Sequence, residues 1–143
     1  MKIYLAAAWS RRAQIAQIAD DLNLIPGITV NSRWLSEPVF AATDIDHLLF
    51  LRERALLDVG DVVSSDMLVR FTDDLSGPTV PSRLASGARM FEMGLAYAQK
   101  KPVVVVGGIQ QIFDHLPGIV HLSCPAELRT FLRQHVSEVE KNV

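Results

Sequence analysis

The chain has few of the features that define several classes of protein. It has one cysteine, Cys124, and therefore no internal disulfide. Its histidines are scattered, so no zinc or iron site is predicted; they are His47, His115, His121 and His135. The net charge is -2 and no basic run exceeds two residues, which argues against a nucleic-acid duplex as a partner.

Long apolar runs are also absent, since none approaches the roughly 20 residues that span a membrane. The N-terminus has no signal-peptide pattern, so we expect a cytoplasmic protein without a membrane partner. Hydrophobic residues make up 49% of the chain and charged residues 21%, a balance typical of globular proteins. Without repeats or linkers, a single domain over residues 1–143 is predicted.

Short apolar segments alternate with segments of helical periodicity. The segments expected to form strands are residues 2–8, 28–35, 66–71, 102–106 and 119–122. The segments expected to form helices are residues 10–23, with Ser10 as the N-cap, 44–63, 86–98 and 125–136. Loops are expected at residues 36–43 and 72–85, and one helical turn at residues 109–115.

This alternation predicts a parallel sheet covered by helices on both faces. We therefore predict an α/β fold, a flavodoxin-like three-layer sandwich with a five-stranded parallel sheet in the order 2-1-3-4-5. The ligand crevice of such a sheet lies beyond the carboxyl ends of the strands, where strands 1 and 3 diverge. The end of the first strand, the loop after the third strand and the helix carrying Glu92 should converge there.

Glu92 lies near the predicted start of the third helix, among apolar neighbours. A helix N-terminus favours an ionised acid, and helix starts line the crevice of an open α/β sheet. Glu92 is therefore a candidate nucleophile or base. The alternative is a glutamate that merely suits the helix dipole.

The end of the first strand offers several candidate ligand contacts. The alanines around Ala7 leave room for a flat ligand, and Trp9 could stack on a base or simply pack. Ser10, with Arg11 or Arg12, could form an anion site at the helix start, or only a capped and solvated one. No Walker motif, GxGxxG or Ser/Thr/Gly-rich phosphate loop follows the strand, so neither a dinucleotide nor a flavin is expected and no cofactor is predicted.

Three motifs occur in a characteristic order: KIYLAAAW (residues 2–9), DVGDVVSSD (58–66) and SGARMFEMGLAYAQKKPVVVV (86–106). Each is weak alone, but together they resemble the nucleoside 2-deoxyribosyltransferase superfamily. That superfamily includes hydrolases of 2'-deoxynucleoside 5'-monophosphates and pyrimidine nucleotide N-glycosidases. The resemblance covers about residues 2–123.

The resemblance implies that Glu92 is the nucleophile, that the Tyr4 hydroxyl orients it, and that Asp58 assists protonation of the nucleobase. Ser86 matches a serine that binds the 5'-phosphate in the monophosphate hydrolases, where the nucleoside transferases have an aspartate. Gly87 belongs to the same phosphate loop and lies five residues before Glu92, whereas several relatives have a glycine four residues before the glutamate. A phosphorylated substrate is therefore favoured.

Other site residues are expected on further elements. The resemblance implies that the loop after strand 4 reaches a neighbouring subunit's site, with Gln111, Phe113 and His115 as contacts; alternatively, Phe113 only closes the core. Asp66 should cap the junction before the third strand and could touch the sugar, whereas Asp61 is expected to be solvated. A homodimer or higher homo-oligomer is expected, because the apolar run at residues 48–51 is too wide for one helix face.

These residues suit cleavage of an N-glycosidic bond. Positive charge develops on the sugar, a carboxylate traps it as a covalent ester, and a second acid protonates the leaving base. The sequence thus predicts an enzyme that acts on a (2'-deoxy)nucleoside or its 5'-monophosphate through a glycosyl-Glu92 intermediate, as a hydrolase or as a base-exchanging transferase. Two alternatives remain: a non-catalytic nucleotide-binding module of related fold and a structural flavodoxin-like domain.

Overall fold

The computed structural model describes residues 1–37, 44–72 and 85–141, with side chains for all of these except residues 44–47, 85, 86 and 140. The strands in this part of the chain are β1 (Lys2–Ala6), β2 (Thr29–Val30), β3 (Met67–Phe71), β4 (Val103–Val106) and β5 (Val120–Leu122). The α-helices are α1 (Arg12–Asn23), α2 (Asp44–Ser64), α3 (Ala85–Ala98) and α4 (Pro125–Lys141). Short 3₁₀ turns occur at Trp9–Arg11, Arg33–Ser36 and Ile112–His115.

The five strands form one parallel sheet in the order β2-β1-β3-β4-β5. β1 and β3 lie side by side, with Tyr4 opposite Leu68. α2 packs against α3, and an ion pair of 3.1 Å between Asp21 and Arg129 joins α1 to α4. The predicted flavodoxin-like fold and its strand order are confirmed.

The core lies on the central strands. Every residue of β3 and β4 is buried, as expected for strands covered on both faces. Ile15 and Leu22 of α1 and Leu128 and Leu132 of α4 pack against the sheet. None of the described helices has both the length and the apolarity needed to cross a membrane.

The second strand is much shorter than the predicted 28–35. Its pairing with β1 ends after Val30 because two side chains bind the next part of the β1 edge. The Ser32 hydroxyl accepts a hydrogen bond from the Leu5 amide at 2.7 Å, and the Trp34 indole donates to the Leu5 carbonyl at 2.8 Å. These bonds replace the strand ladder, and the chain turns into the 3₁₀ turn at 33–36.

Three other element predictions need correction. Ser10 does not cap α1, because it lies inside the Trp9–Arg11 turn and no side-chain hydrogen bond caps the start of either helix. α4 continues to Lys141 instead of ending at residue 136. Thr72 is buried, and its amide donates to the Val106 carbonyl at 3.0 Å, so it is not part of an exposed loop. The rest of the two predicted loops, residues 38–43 and 73–84, lies outside the described residues.

Candidate active site

Tyr4 and Glu92 meet between β1 and α3. Tyr4 is fully buried in the sheet, and its hydroxyl donates a hydrogen bond of 2.7 Å to Oε1 of Glu92. Burial raises the pKa of Tyr4, and the charges of Glu92 and Asp58 raise it further. The hydroxyl therefore stays protonated and acts as a fixed donor to the carboxylate.

Glu92 is the eighth residue of α3, two turns from the N-terminus. The expectation that the helix dipole holds it ionised is therefore wrong, since that effect is confined to the first turn. Burial raises the pKa of Glu92 to about 7, Asp58 adds to the rise, and the Tyr4 hydrogen bond and Arg89 oppose it. At neutral pH the protonated and ionised forms of Glu92 are therefore both well populated.

Asp58 is the second carboxyl group of the site and projects from α2. Burial raises the pKa of Asp58 to about 6, with contributions from Glu37 and Asp61, while Arg54 and Arg33 lower it. Its Oδ1 atom is buried and has no hydrogen-bond partner among the described residues. The charge of Asp58 acts on the pKa of Glu92, so the adjacent helices α2 and α3 bring together two carboxyl groups of raised pKa.

Glu37 and Arg54 form a partly buried ion pair of 2.8 Å near Asp58. Neither residue has a signal in the sequence, because Glu37 lies in a segment predicted as a loop and Arg54 on an ordinary charged helix face. Arg54 is one turn before Asp58 on α2. Of this ion pair, Glu37 raises the pKa of Asp58 and Arg54 lowers it.

Asp61 is buried, with 2% of its surface exposed, and is not the solvated residue that was predicted. Its carboxylate accepts hydrogen bonds from the Arg33 amide at 3.0 Å and from the Arg33 guanidinium Nε at 2.8 Å. It therefore fixes the 33–36 turn on α2. Asp58 and Asp61 lie three residues apart on one helix but serve different purposes.

Asp66 lies at the opposite end of the strands from Asp58 and Glu92. Its carboxylate accepts a hydrogen bond of 2.7 Å from the Lys2 amide, where β1 and β3 begin. Because the strands are parallel, this position is at the amino ends, away from the carboxyl-end crevice. The proposed contact of Asp66 with the sugar does not fit this placement.

The two arginines after β1 bind neighbouring elements. Arg11 donates to the Thr72 carbonyl at the end of β3, and Arg12 donates to the Leu35 carbonyl at 3.0 Å. The Arg12 guanidinium also lies 4.9 Å from the centre of the Trp9 ring. Both cations thus hold together the chain segments around the crevice.

Trp9 is 48% exposed and lies 6.1 Å from Trp34, ring centre to ring centre. Ala7 is half-buried and Ser10 is exposed at the same edge. These three residues follow the carboxyl end of β1, where the sequence predicts a flat ligand. Trp9 therefore combines internal packing with a surface open to a ligand.

The first turn of α3 contains Ser86 and Gly87. The Ser86 side chain lies outside the described part of the structure. Gly87 is exposed, and a Cβ atom built on it would meet no atom within 4 Å, so space is open beside it. Arg89, a third residue near this turn, is 3% exposed and donates to the Phe71 carbonyl at 3.2 Å; the sequence analysis did not single it out.

The loop after β4 is fixed by Asp114, another residue without a sequence signal. Asp114 is fully buried, forms an ion pair with Arg70 and accepts hydrogen bonds from the amides of Gln110 and Gln111 at 2.8 and 3.2 Å. The Gln111 side chain caps the Ile112–His115 turn. The ion pair between Arg70 and Asp114 thus ties this loop to β3.

Phe113 and His115 are both exposed on that loop. Phe113 lines a small apolar cavity with Met90, Met93 and Leu116, beside α3. Within the described residues, no three His, Cys, Asp or Glu side chains are grouped to hold a metal ion. The site of the described chain is therefore built from carboxyl groups, a tyrosine and arginines.

The sequence matches no protein-family model and no curated protein sequence. Solved structures do match. The CMP N-glycosidase BcmB of Clostridium botulinum is 19% identical, with a TM-score of 0.53 over 92% of this chain and 98% of that chain. A 2-deoxyribosyltransferase of Bacillus psychrosaccharolyticus is 18% identical, with a TM-score of 0.57 over 90% of each chain. The chain therefore shares its fold with these two enzymes, which is the fold that the resemblance of its motifs predicts.

Proposed function

We propose that the protein cleaves the N-glycosidic bond of a nucleoside or its 5'-monophosphate, with Glu92 as the nucleophile. The observation that carries this proposal is the 2.7 Å hydrogen bond from Tyr4 to Glu92. The adjacent Asp58 supports it, because the two carboxyl groups have raised pKa values of about 7 and about 6. The shared fold with an N-glycosidase and a deoxyribosyltransferase supports the same class of reaction.

Each residue has a distinct role in this reaction. Ionised Glu92 attacks the anomeric carbon of the sugar while the bond to the base breaks, which gives a glycosyl ester. Protonated Asp58 gives its proton to the departing base. The Tyr4 hydroxyl holds Oε1 and leaves Oε2 for the attack. Water or a second base then attacks the anomeric carbon, Glu92 leaves as a carboxylate, and Asp58 takes up the proton of the attacking group.

The pKa values of the two carboxyl groups determine how much of the protein is in the reactive form. Between pH 6 and pH 7 the pair holds about one proton, and the higher pKa of Glu92 places this proton mostly on Glu92. The reactive form, with Glu92 ionised and Asp58 protonated, is therefore a minor form that is most populated near pH 6.5.

We propose a 5'-monophosphate in preference to the free nucleoside. The first amides of a helix have no partner within the helix and favour a phosphate. Ser86 and Gly87 belong to the first turn of α3, and the space beside Gly87 is open. A charge-assisted hydrogen bond contributes roughly 1.5–3 kcal/mol, so one such contact corresponds to about 10- to 100-fold preference.

The test incubates the protein with matched nucleosides and 5'-monophosphates and detects free base by chromatography. Addition of a second base distinguishes a transferase, which makes a new nucleoside, from a hydrolase. We expect kcat/KM to favour the monophosphate about 10- to 100-fold, and Ser86→Ala to remove most of this preference. Ser137→Ala on α4 is the matched control. Nucleotide binding without base release would instead indicate a non-catalytic binding module, and a preference for free nucleosides would contradict the phosphate assignment.

A further inference from the structure

Arg89 is a buried cation in the same helix as Glu92. The two residues are three positions apart on α3 and therefore lie on one face of the helix. Only 3% of the Arg89 surface is exposed. Arginine is almost never buried to this extent unless its charge is matched. Its place beside a buried carboxyl group therefore calls for a role.

The guanidinium of Arg89 also links α3 to β3. It donates to the carbonyl of Phe71, the last residue of β3, at 3.2 Å. Arg89 thus joins the carboxyl end of β3 to the turn of α3 that precedes Glu92. Arg89 thus holds α3 from the end of β3, while Tyr4 holds the Glu92 carboxyl group from the middle of β1.

The charges around Glu92 come from three elements. β1 contributes the Tyr4 hydroxyl, α2 contributes Asp58, and α3 contributes Arg89. Asp58 favours the protonated form of Glu92, whereas Arg89 favours the ionised form. The charged residue of β3, Arg70, forms its ion pair with Asp114. Among the described residues, Arg89 is thus the cation that opposes the effect of Asp58 on the Glu92 carboxyl group.

We propose that Arg89 is a positioning residue for Glu92: it anchors the helix turn to β3 and places a buried positive charge on the face of α3 that carries Glu92, where it favours the ionised carboxylate. The catalytic consequence rests on the proposed function, because the ionised form attacks the sugar. The electrostatic part does not depend on turnover and can be measured in the protein alone.

The first experiment follows the glutamate side-chain carboxyl carbons by ¹³C NMR as the pH is varied, with Glu92→Gln to assign the Glu92 signal. We expect Arg89→Met to move the Glu92 midpoint upward by about one pH unit. Arg89→Lys should stay close to wild type because it keeps the charge. Arg129→Met, which removes the exposed ion pair with Asp21, is the control and should leave the midpoint unchanged.

Arg89→Gln separates the charge from the anchor and also serves if Arg89→Met does not fold. Glutamine retains a donor for the Phe71 carbonyl but has no charge, so its Glu92 midpoint should rise as in Arg89→Met. An unchanged midpoint in folded Arg89→Met or Arg89→Gln would overturn the proposal. Unfolding of both variants, with Arg89→Lys titrating far from wild type, would overturn it as well.

The second experiment measures kcat/KM for base release against pH in the same variants. With a higher Glu92 pKa, Arg89→Met should lose about tenfold in kcat/KM below pH 6 and match wild type above about pH 9, where Glu92 is ionised in both proteins. An equal loss at every pH would show a structural role alone and overturn the charge assignment. A shifted NMR midpoint in a protein that releases no base would refute the proposed function but support the role of Arg89.

Discussion

Tyr4 and Glu92 lie 88 residues apart in the chain, yet a hydrogen bond of 2.7 Å joins the tyrosine hydroxyl to one carboxyl oxygen of the glutamate. The bond connects the buried centre of β1 to the third turn of α3. One oxygen of Glu92 is therefore held by the sheet while the other is left for chemistry.

Replacement of Glu92 should abolish base release without unfolding the protein. Glu92→Gln keeps the shape of the side chain and a carbonyl oxygen for the Tyr4 hydroxyl, but it cannot form the glycosyl ester. We expect kcat to fall by about 10³-fold or more if Glu92 is the nucleophile. Glu53→Gln, an exposed glutamate on α2, is the matched control. Near-normal turnover by folded Glu92→Gln would exclude Glu92 as the nucleophile.

Tyr4→Phe should weaken catalysis less than Glu92→Gln does. The substitution removes one hydrogen bond to a carboxylate, worth roughly 0.5–3 kcal/mol, or about 2- to 150-fold in rate. Because that bond also lowers the pKa of Glu92, the loss should be greater at pH 6 than at pH 9. Steady-state kinetics at both pH values measure this. Equal losses from the two substitutions would mean that Tyr4 does more than orient the carboxylate.

The rate should depend on pH as a bell-shaped curve. The reaction needs Glu92 ionised and Asp58 protonated, and the pKa values of the two groups are about 7 and about 6. We therefore expect kcat/KM to be greatest near pH 6.5 and to fall on both sides. Asp58→Asn removes the proton donor, so it should lower the maximum and abolish the high-pH decline. A high-pH decline that persists in Asp58→Asn would assign it to another group.

Stability should also depend on the buried carboxyl group. Folding raises the pKa of Glu92 from 4.5 to about 7, so the folded state binds a proton more tightly than the unfolded state does. This stabilisation is complete below pH 4.5 and is lost as the pH rises through 7. Glu92→Gln removes the buried charge, and we expect its free energy of unfolding to exceed that of wild type by roughly 1–3 kcal/mol at pH 8.

Urea denaturation at pH 4 and pH 8 measures this difference. Near pH 4 the side chain is uncharged in the folded wild type, so Glu92→Gln and wild type should be equally stable. Glu53→Gln serves again as the control. If the free energy of unfolding of Glu92→Gln at pH 8 does not exceed that of wild type, the ionised carboxylate does not destabilise the folded state, and the prediction is wrong.

A homodimer or higher homo-oligomer should form through α2. Leu49, Leu56 and Val63 follow each other at seven-residue intervals along this helix, and all three are exposed in the single chain. Phe91 of α3 is exposed as well. We expect light scattering to show an oligomer, and Leu49→Glu with Leu56→Glu to dissociate it. Leu24→Glu, which places the same charge at an exposed leucine outside α2, is the control and should leave the oligomer intact. A fully active wild-type monomer at assay concentration would contradict this prediction.

The sheet could be predicted because its strands carry a strong signal. β3 and β4 are continuous apolar runs between helical segments, and this pattern determines a parallel sheet. The second strand could not be predicted in its true length. Side-chain hydrogen bonds from Ser32 and Trp34 to Leu5 end it, and nothing in the local pattern distinguishes such side chains from strand residues.

The site could be predicted only in part for a similar reason. Tyr4, Asp58 and Glu92 were identified from the motif resemblance, and the structure brings these three residues together. Arg89 and Glu37 were not identified, because a buried charge is recognised by its partners, and those partners are distant in sequence. The role of Asp61 could not be predicted either, because its partner Arg33 is 28 residues away in the chain.

The ion pair between Arg70 and Asp114 has a consequence for protein engineering. Asp114 holds the loop after β4 through the amides of Gln110 and Gln111, and Arg70 holds Asp114 from within the sheet. Loss of Arg70 leaves the interior Asp114 carboxylate without its ion-pair partner, and breaking a buried pair in this way typically costs about 3–5 kcal/mol. A loop grafted here from a relative without an acid at position 114 therefore has to be exchanged together with residue 70. Strand and loop form one exchangeable module, although 44 positions separate the two residues that define it.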